Sequence, residues 1–177
     1  MIHNLTLNKP YEHLLQVWQE VLAEADANLF IREAIPEDGI LLNIREEQKD
    51  TYDNPSLDYL IRIHAFLKML TPMNYSIFHK NDLLLMANIL PVAEGVGEIS
   101  FLTDTNFVTA PREIKLPLLQ AFHTVLRELP FRRLQAKVKH DFNIGKIFVE
   151  RMGFVAEGVL KNYGPLGDDY IMYSLIK

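Results

Sequence analysis

The spacing of hydrophobic residues separates helical segments from strand-like ones. Residues 11–25 place apolar side chains three and four positions apart, which predicts an amphipathic helix. Residues 26–53 are acidic and contain turn signals around a short apolar piece at Ile40–Ile44, so a partly irregular segment is expected here. An Asn-Pro-Ser start at residue 54 then predicts a well-buried helix that ends at about Leu70.

Strand patterns begin at about Asn74 and alternate with helical ones to the end of the sequence. An alternating segment, a turn at Asn81-Asp82 and a continuous apolar run predict two paired strands, the second covered on both faces. The order predicts an α/β or α+β layered sheet. The later elements are expected as a strand over 98–104, a helix over 114–129, a strand over 133–140, a helix through Ile144 and Met152, and strands over 154–163 and 169–176.

Length and composition favour one domain with a single core. The chain has 177 residues, of which 49% are hydrophobic and 23% are charged, as in ordinary globular proteins. We expect a variable helical part at 1–73 and a sheet core at 74–177. The sequence has no cysteine, no apolar run of bilayer length and no signal-peptide pattern, so a cytoplasmic, membrane-free protein is expected.

Charge is unevenly distributed along the chain. Residues 1–60 carry 12 acidic and 4 basic side chains, whereas residues 110–177 carry 11 basic and 7 acidic ones. The basic part could face the phosphates of a nucleotide cofactor or of nucleic acid. Alternation over 133–139 fits a solvated strand face equally well. The six histidines lack the spacing of metal ligands, so no metal site is expected.

The segment "FNIGKIFVERMGFVAEGVLKNY", taken with the order of elements, resembles the GNAT superfamily of N-acetyltransferases over roughly residues 74–177. The resemblance implies a mixed, mostly antiparallel sheet in which the strands before and after the central helix splay apart. It implies acetyl-CoA as the cofactor, threaded through that gap. Gly153 can end the helix in a left-handed conformation and Phe154 can enter the core, so this junction is evidence for the fold.

The resemblance also assigns cofactor-binding residues on the central strand. Backbone groups of Phe101, Leu102 and Thr103 would hold the pantetheine arm of the cofactor. In the family the cofactor pyrophosphate lies on a glycine-rich loop at the N-terminus of the central helix.

That glycine-rich loop is degraded in this sequence. Ala110 falls at its basic position, and Glu113 and Lys115 fall at two glycine positions. The side chains of Arg112 and Lys115 are candidate phosphate ligands in its place. Asn143 corresponds to a further cofactor contact of the family, and N-cap duty for the following helix is an equal alternative.

The expected catalytic groups are one carboxylate and one phenol. Glu98 is the candidate general base toward an amine acceptor, with Asp104 as the alternative. Val149 stands where many family members carry a tyrosine that protonates the departing thiolate. Tyr163 is the candidate replacement, and the other phenols on the last strands are Tyr170 and Tyr173.

Two functions remain open from the sequence. One is acetyl-CoA-dependent acetylation of an amine, with a cofactor site that is impaired or lost. The other is a non-catalytic structural or assembly protein, similar to the GNAT-like virion proteins of tailed phages, located in the virion. In the second case the acidic N-terminal part and the basic C-terminal half are candidate surfaces for protein partners or for a homo-oligomer.

Overall fold

The computed structural model describes residues 9–43, 48, 73–164 and 166–177. The helix predicted between residues 54 and 70 lies outside these residues. Helices run over α1 (Lys9–Ala25), α2 (Pro36–Leu41), α3 (Thr105–Thr109), α4 (Arg112–Glu128) and α5 (Asn143–Arg151). Strands run over β1 (Leu29–Glu33), β2 (Asn74–His79), β3 (Asp82–Ala93), β4 (Val96–Thr103), β5 (Arg133–Lys139), β6 (Val155–Leu160) and β7 (Tyr170–Ile176).

The described strands form one mixed sheet of seven strands in the order β1-β2-β3-β4-β5-β7-β6. Only β4 and β5 pair in parallel, whereas all other neighbours are antiparallel. The predicted fold class is therefore confirmed. Two predictions needed correction: β1 and α2 lie in the segment expected to be partly irregular, and α3 lies between the strand predicted over 98–104 and the helix predicted over 114–129, where no element was expected. These elements are five or six residues long, too short to show a clear periodicity.

Helices α1 and α4 pack on one face of the sheet and form the main core with it. Trp18 of α1 is fully buried, and its ring meets the edge of Phe122 from α4 at a centroid distance of 4.8 Å. The apolar stripes read from the sequence thus face each other. On the other face of the sheet, Phe78 and Leu83 pack with Leu42, so the start of β3 is covered on both sides as predicted.

A buried carboxylate joins β1, α2 and β2. Asp38 accepts hydrogen bonds from the Arg32 guanidinium, the Ile35 amide and the Ser76 hydroxyl. Burial raises the pKa of Asp38, but the hydrogen bonds from Arg32, Ile35 and Ser76 outweigh it, so the pKa lies below its ordinary value. This ion pair fixes the edge of the sheet to the short helix.

Strands β4 and β5 stay together for only three residue pairs. The last parallel pair is Glu98 with Gln135, and both strands continue beyond it. At the closed end, β4 lies close to its neighbours, because an added Cβ at Gly97 would stand 3.0 Å from Phe131 and from Leu134. The strands therefore diverge from a tightly packed origin, and a gap opens between them.

Among the described residues, none of the helices is both long enough and apolar enough to cross a bilayer.

Candidate functional site

The gap between β4 and β5 contains a cavity of about 430 Å³. Residues 99–103 of β4 and 136–139 of β5 line it, which includes side chains from both faces of each strand. Helix α5 covers part of it with Ile144, Ile147 and Phe148. The cavity therefore runs between the strands, and it lies where the cofactor gap was predicted.

Aromatic rings build the wall that faces the main core. The Phe148 ring stands edge-on to Phe101 of β4 and to Phe107 of α3, with centroid distances of 5.3 and 5.5 Å. Phe101 in turn meets Phe122 of α4 at 5.3 Å. Ile144 and Ile147 remain about half exposed at the mouth, at 51% and 48%. An apolar ligand or ligand segment would bury these side chains.

The open edge of β4 is occupied by a side chain from outside the sheet. Gln48 donates its Nε2–H to the Phe101 carbonyl at 2.9 Å, and its Oε1 accepts the Thr103 amide at 3.0 Å. The Thr103 hydroxyl donates to the same oxygen at 2.8 Å. Gln48 thus holds two of the backbone groups that were predicted to bind the cofactor. Leu102, the residue between them, also lines the cavity.

Glu98 lies where the two strands separate. Its Oε2 accepts a hydrogen bond from the side-chain amide of Gln135 at 3.1 Å and lies 2.7 Å from the Lys137 ammonium. About a quarter of the Glu98 side chain remains exposed, at 26%. The carboxylate is therefore held by two side chains of β5 and is still accessible to a small group or to water.

Lys137 joins the two predicted catalytic residues. Its ammonium donates to the Tyr163 hydroxyl at 2.6 Å and also contacts Glu98. Burial lowers the pKa of Lys137, but the hydrogen bonds with Glu98 and Tyr163 outweigh it, so the pKa is raised. Lys137 is thus a cation at neutral pH, with a carboxylate on one side and a phenol on the other.

Basic side chains line a groove beside the cavity. Arg112, Lys115 and His123 of α4 and Arg151 of α5 border it, and Lys115 and Arg151 also reach the cavity. Lys115 donates to the Val108 carbonyl at 2.5 Å, which holds the turn before α4. The two candidate phosphate ligands therefore lie on one surface next to the cavity.

Two prolines and a carboxylate lie at the start of α4. Pro111 is its N-cap residue and makes no side-chain capping hydrogen bond, and Pro117 lies inside the helix. Glu113 occupies the first turn and is exposed. A carboxylate here interacts favourably with the helix N-terminus, and it would repel a bound phosphate.

Two alternatives from the sequence have structural outcomes. Asp104 is buried, caps α3 through the Asn106 amide at 2.7 Å and accepts the Asn43 amide at 2.7 Å, so it has a structural role. Asn143 is exposed and is the first residue of α5, whereas the N-cap is Phe142. The capping alternative for Asn143 is therefore wrong, and its contact with a cofactor stays a prediction.

The tyrosines of the last strands lie in different surroundings. Tyr163 is 49% exposed and stacks edge-on with Tyr170 at 5.5 Å, and Tyr170 lines the cavity. Tyr173 is buried and contacts the Glu150 carboxylate at 3.1 Å; burial, followed by that contact, raises its pKa to about 12. Val149 is buried and lines the cavity. Tyr163 is in contact with the Lys137 cation.

The basic strand β5 carries its charges in ion pairs. Its alternation is confirmed, with Leu134, Ala136 and Val138 buried. The ion pairs are Arg133–Glu157 at 2.5 Å, Lys137–Glu98 at 2.7 Å and Lys139–Asp168 at 3.4 Å. Hydrogen bonds from Arg133 and then from Ser174 lower the pKa of Glu157 to about 2. These ion pairs favour the interpretation of a solvated strand face, and nucleic-acid binding stays a prediction.

Sequence reasoning missed Gln48 and Lys137. The alternation of β5 placed Lys137 on the same face as Gln135, but the contact of Lys137 with Glu98 depends on the register of β4 and β5. Gln48 lies 53 residues before Phe101, in a segment without a clear periodicity, and no sequence signal pointed to it.

No protein-family model matches the sequence, and no curated protein matches it significantly. Solved structures do match. RimL, a ribosomal alpha-N-protein acetyltransferase in its apo form, has a TM-score of 0.68 at 22% identity, over 86% of this chain and 92% of that chain. An acetyltransferase of the GNAT family from Bacillus anthracis has a TM-score of 0.64 at 16% identity, over 84% and 95%.

A third similar structure carries a ligand. It is yncA, a putative acetyltransferase from Salmonella typhimurium with its cofactor acetyl-CoA, and it matches with a TM-score of 0.61 at 12% identity, over 84% of this chain and 94% of that chain. Identities this low establish the architecture and leave the chemistry to the residues of this chain. The mixed sheet, the diverging β4 and β5 and the matched structures agree, and the chain has the fold of the GNAT acetyltransferases.

Proposed function

We propose that the chain binds an acyl-CoA, with acetyl-CoA as the donor, and transfers the acyl group to an amine. The observation that carries the proposal is the position of Glu98 at the point where β4 and β5 separate, where it precedes Ile99 and contacts Lys137, two residues that line an apolar cavity of about 430 Å³. A cavity of this size can enclose the pantetheine arm of the donor and leave its phosphates outside.

The donor would enter between the strands with its thioester toward Glu98. Backbone groups of Phe101 and Thr103 can pair with the amides of the pantetheine arm, as the resemblance implies. The phosphates would then lie over the cationic groove. Because Ala110 and Glu113 replace a basic residue and a glycine of the family loop, we assign the phosphate contacts to the side chains of Arg112, Lys115 and Arg151.

The amine would approach Glu98 from the polar face of β5. Its nitrogen loses a proton to the Glu98 carboxylate, directly or through a water molecule, and attacks the thioester carbonyl carbon. The new carbon–nitrogen bond forms as the carbon–sulfur bond breaks, and the thiolate leaves with the electron pair. Tyr163 is the proposed source of the proton for that thiolate, and Lys137 balances the charge as the phenol gives it up.

The second candidate function is a non-catalytic structural or assembly protein, for instance in a tailed-phage virion. Strand β6 favours it: this strand lies at the edge of the sheet and is exposed along most of its length, with Val155 and Val159 at 67% and 46%. An exposed edge with apolar side chains can pair with another protein chain or with a second copy. Light scattering of the purified chain would measure such self-association.

The decisive experiment measures donor binding and thiol release separately. Acetyl-CoA should raise the melting temperature in proportion to the logarithm of its concentration, as mass action requires. Coenzyme A released in the presence of a panel of primary amines can be followed with a thiol reagent, and the absence of cysteine removes any background from the protein. A melting temperature unchanged at millimolar acetyl-CoA would reject donor binding and leave the structural function.

A further inference from the structure

A side chain hydrogen-bonds to the open edge of β4, where a neighbouring strand would otherwise pair. A primary amide has one acceptor oxygen and two N–H donors, so a single side chain can both donate to and accept from the backbone at one edge of a strand. Gln48 uses both, at 2.9 Å to the Phe101 carbonyl and at 3.0 Å from the Thr103 amide nitrogen. It therefore satisfies two backbone groups of β4 beyond Glu98, where the pairing with β5 has ended.

These are the same groups that the arm of an acyl donor would use. The other edge of β4 is paired with β3, where Phe101 faces Ala87 and Thr103 faces Leu85. A backbone N–H directed at one acceptor leaves no second hydrogen for another. Gln48 and a donor amide therefore exclude each other at Thr103.

We infer that Gln48 is an internal competitor for the donor subsite and sets the affinity of the chain for acyl-CoA. This inference rests on the proposed donor binding. A donor must first displace three hydrogen bonds that involve Gln48, to Phe101 and to the amide and hydroxyl of Thr103. The Phe101 carbonyl and the Thr103 amide gain no hydrogen bond when the donor replaces Gln48, because they are hydrogen-bonded both before and after the replacement. The free-energy cost is that of moving the Gln48 side-chain amide from these hydrogen bonds into water.

The test compares Gln48→Ala and Gln48→Leu with the wild-type chain. The alanine variant removes both the amide and its bulk, whereas the leucine variant removes the hydrogen bonds and keeps most of the volume. Gln16→Ala is the matched control, because Gln16 is an exposed glutamine of α1 whose side-chain amide donates to the Glu20 carboxylate. Melting curves and circular dichroism establish that each variant is folded.

The first measurement is amide hydrogen exchange without ligand. Both Gln48 variants should speed exchange at Thr103 by about tenfold or more, which corresponds to the loss of about one hydrogen bond. The Leu102 amide, in a residue paired with Met86 of β3, should not change. Unchanged exchange at Thr103 would overturn the inference, since Gln48 would then not protect this edge.

The second measurement is calorimetry with acetyl-CoA as the probe. Gln48→Ala should bind it about tenfold more tightly than the wild type, Gln48→Leu should gain less, and Gln16→Ala should not differ. If the wild type binds and Gln48→Ala binds equally or more weakly, the inference is wrong and the proposed function stands. If no folded variant binds acetyl-CoA at millimolar concentration, the proposed donor binding is rejected, and the proposed competition by Gln48 is rejected with it.

Discussion

The ammonium of Lys137 lies 2.7 Å from the carboxylate of Glu98, just beyond the last backbone pair of β4 and β5, which is Glu98 with Gln135. The Lys137 side chain is 20% exposed, so the contact is partly shielded from water. This contact links the two strands through side chains where their backbone pairing ends, and it holds the candidate base at that point. The same ammonium reaches Tyr163, so one cation aligns both candidate catalytic groups.

Lys137→Met should lower the free energy of unfolding by about 1 kcal/mol at neutral pH. The raised pKa means that the stabilisation is fully present below the unfolded value of 10.5 and is lost as the pH rises through the folded value above it. Chemical unfolding of both proteins at pH 7 and above pH ~11 checks this, because the difference should shrink at the alkaline pH. Lys80→Met, at an exposed turn, is the control.

Glu98→Gln should reduce turnover by about a hundredfold or more if the carboxylate removes the proton of the amine. Affinity for acetyl-CoA should change little, because the donor meets the backbone of β4 and not this side chain. Thiol release measures turnover and calorimetry measures binding. Glu94→Gln, in the exposed turn between β3 and β4, is the matched control; equal turnover in both variants would exclude Glu98 as the base.

Glu113→Gly should strengthen binding of coenzyme A by about threefold to tenfold, since it removes a negative charge next to the proposed phosphate position. The same change should cost about 1 kcal/mol of stability, because glycine weakens the first turn of α4 and the favourable charge is lost. Titration with coenzyme A and with pantetheine separates the charge effect on phosphate binding from other effects on affinity, because only coenzyme A carries phosphates and only its affinity should increase. Glu128→Gly, in the last turn of α4, controls for helix weakening, and a gain there would contradict the charge argument.

Asp38→Asn should destabilise the chain by about 2–4 kcal/mol, because the buried Asp38 carboxylate accepts from Arg32, Ile35 and Ser76, and a neutral amide with one acceptor oxygen cannot replace all of these hydrogen bonds. The lowered pKa of Asp38 means that its stabilisation is present above the unfolded value of 3.8 and is lost as the pH falls through the folded value. The difference in unfolding free energy between the wild type and Asp38→Asn should therefore become smaller at acidic pH. Asp82→Asn, at an exposed strand start, should have an effect near zero at every pH; a constant difference for Asp38→Asn would contradict the assignment.

Gly153→Ala should cost about 1–2 kcal/mol through the backbone alone. Gly153 has a φ of +92°, which other residues rarely adopt, whereas an added Cβ would meet Leu175 and His123 only at ordinary contact distances of 3.6 and 3.7 Å. Thermal unfolding checks the loss. Acetyl-CoA affinity should be unchanged, and a large fall in affinity would indicate a direct cofactor role for this junction.

Local pattern was sufficient to predict most of the elements from Asn74 onwards. The alternation of β5, the apolar stripe of α4 and the helix end at Gly153 each depend on residues within a few positions of one another, and each is found in the structure. The order of these elements was enough to indicate the fold. Elements five or six residues long were missed because periodicity needs a longer window.

The candidate site depends on contacts that no local pattern contains. Glu98, Lys137 and Tyr163 are close only because β4 and β5 pair for three residues and then separate, and because β7 and the loop before it return to that point. Gln48 reaches Phe101 across 53 residues of sequence. The sequence by itself therefore determined the strands and helices and their order, through short-range spacing. Strand register and packing decided which side chains meet at the gap. They also decided that Gln48 occupies the edge of β4.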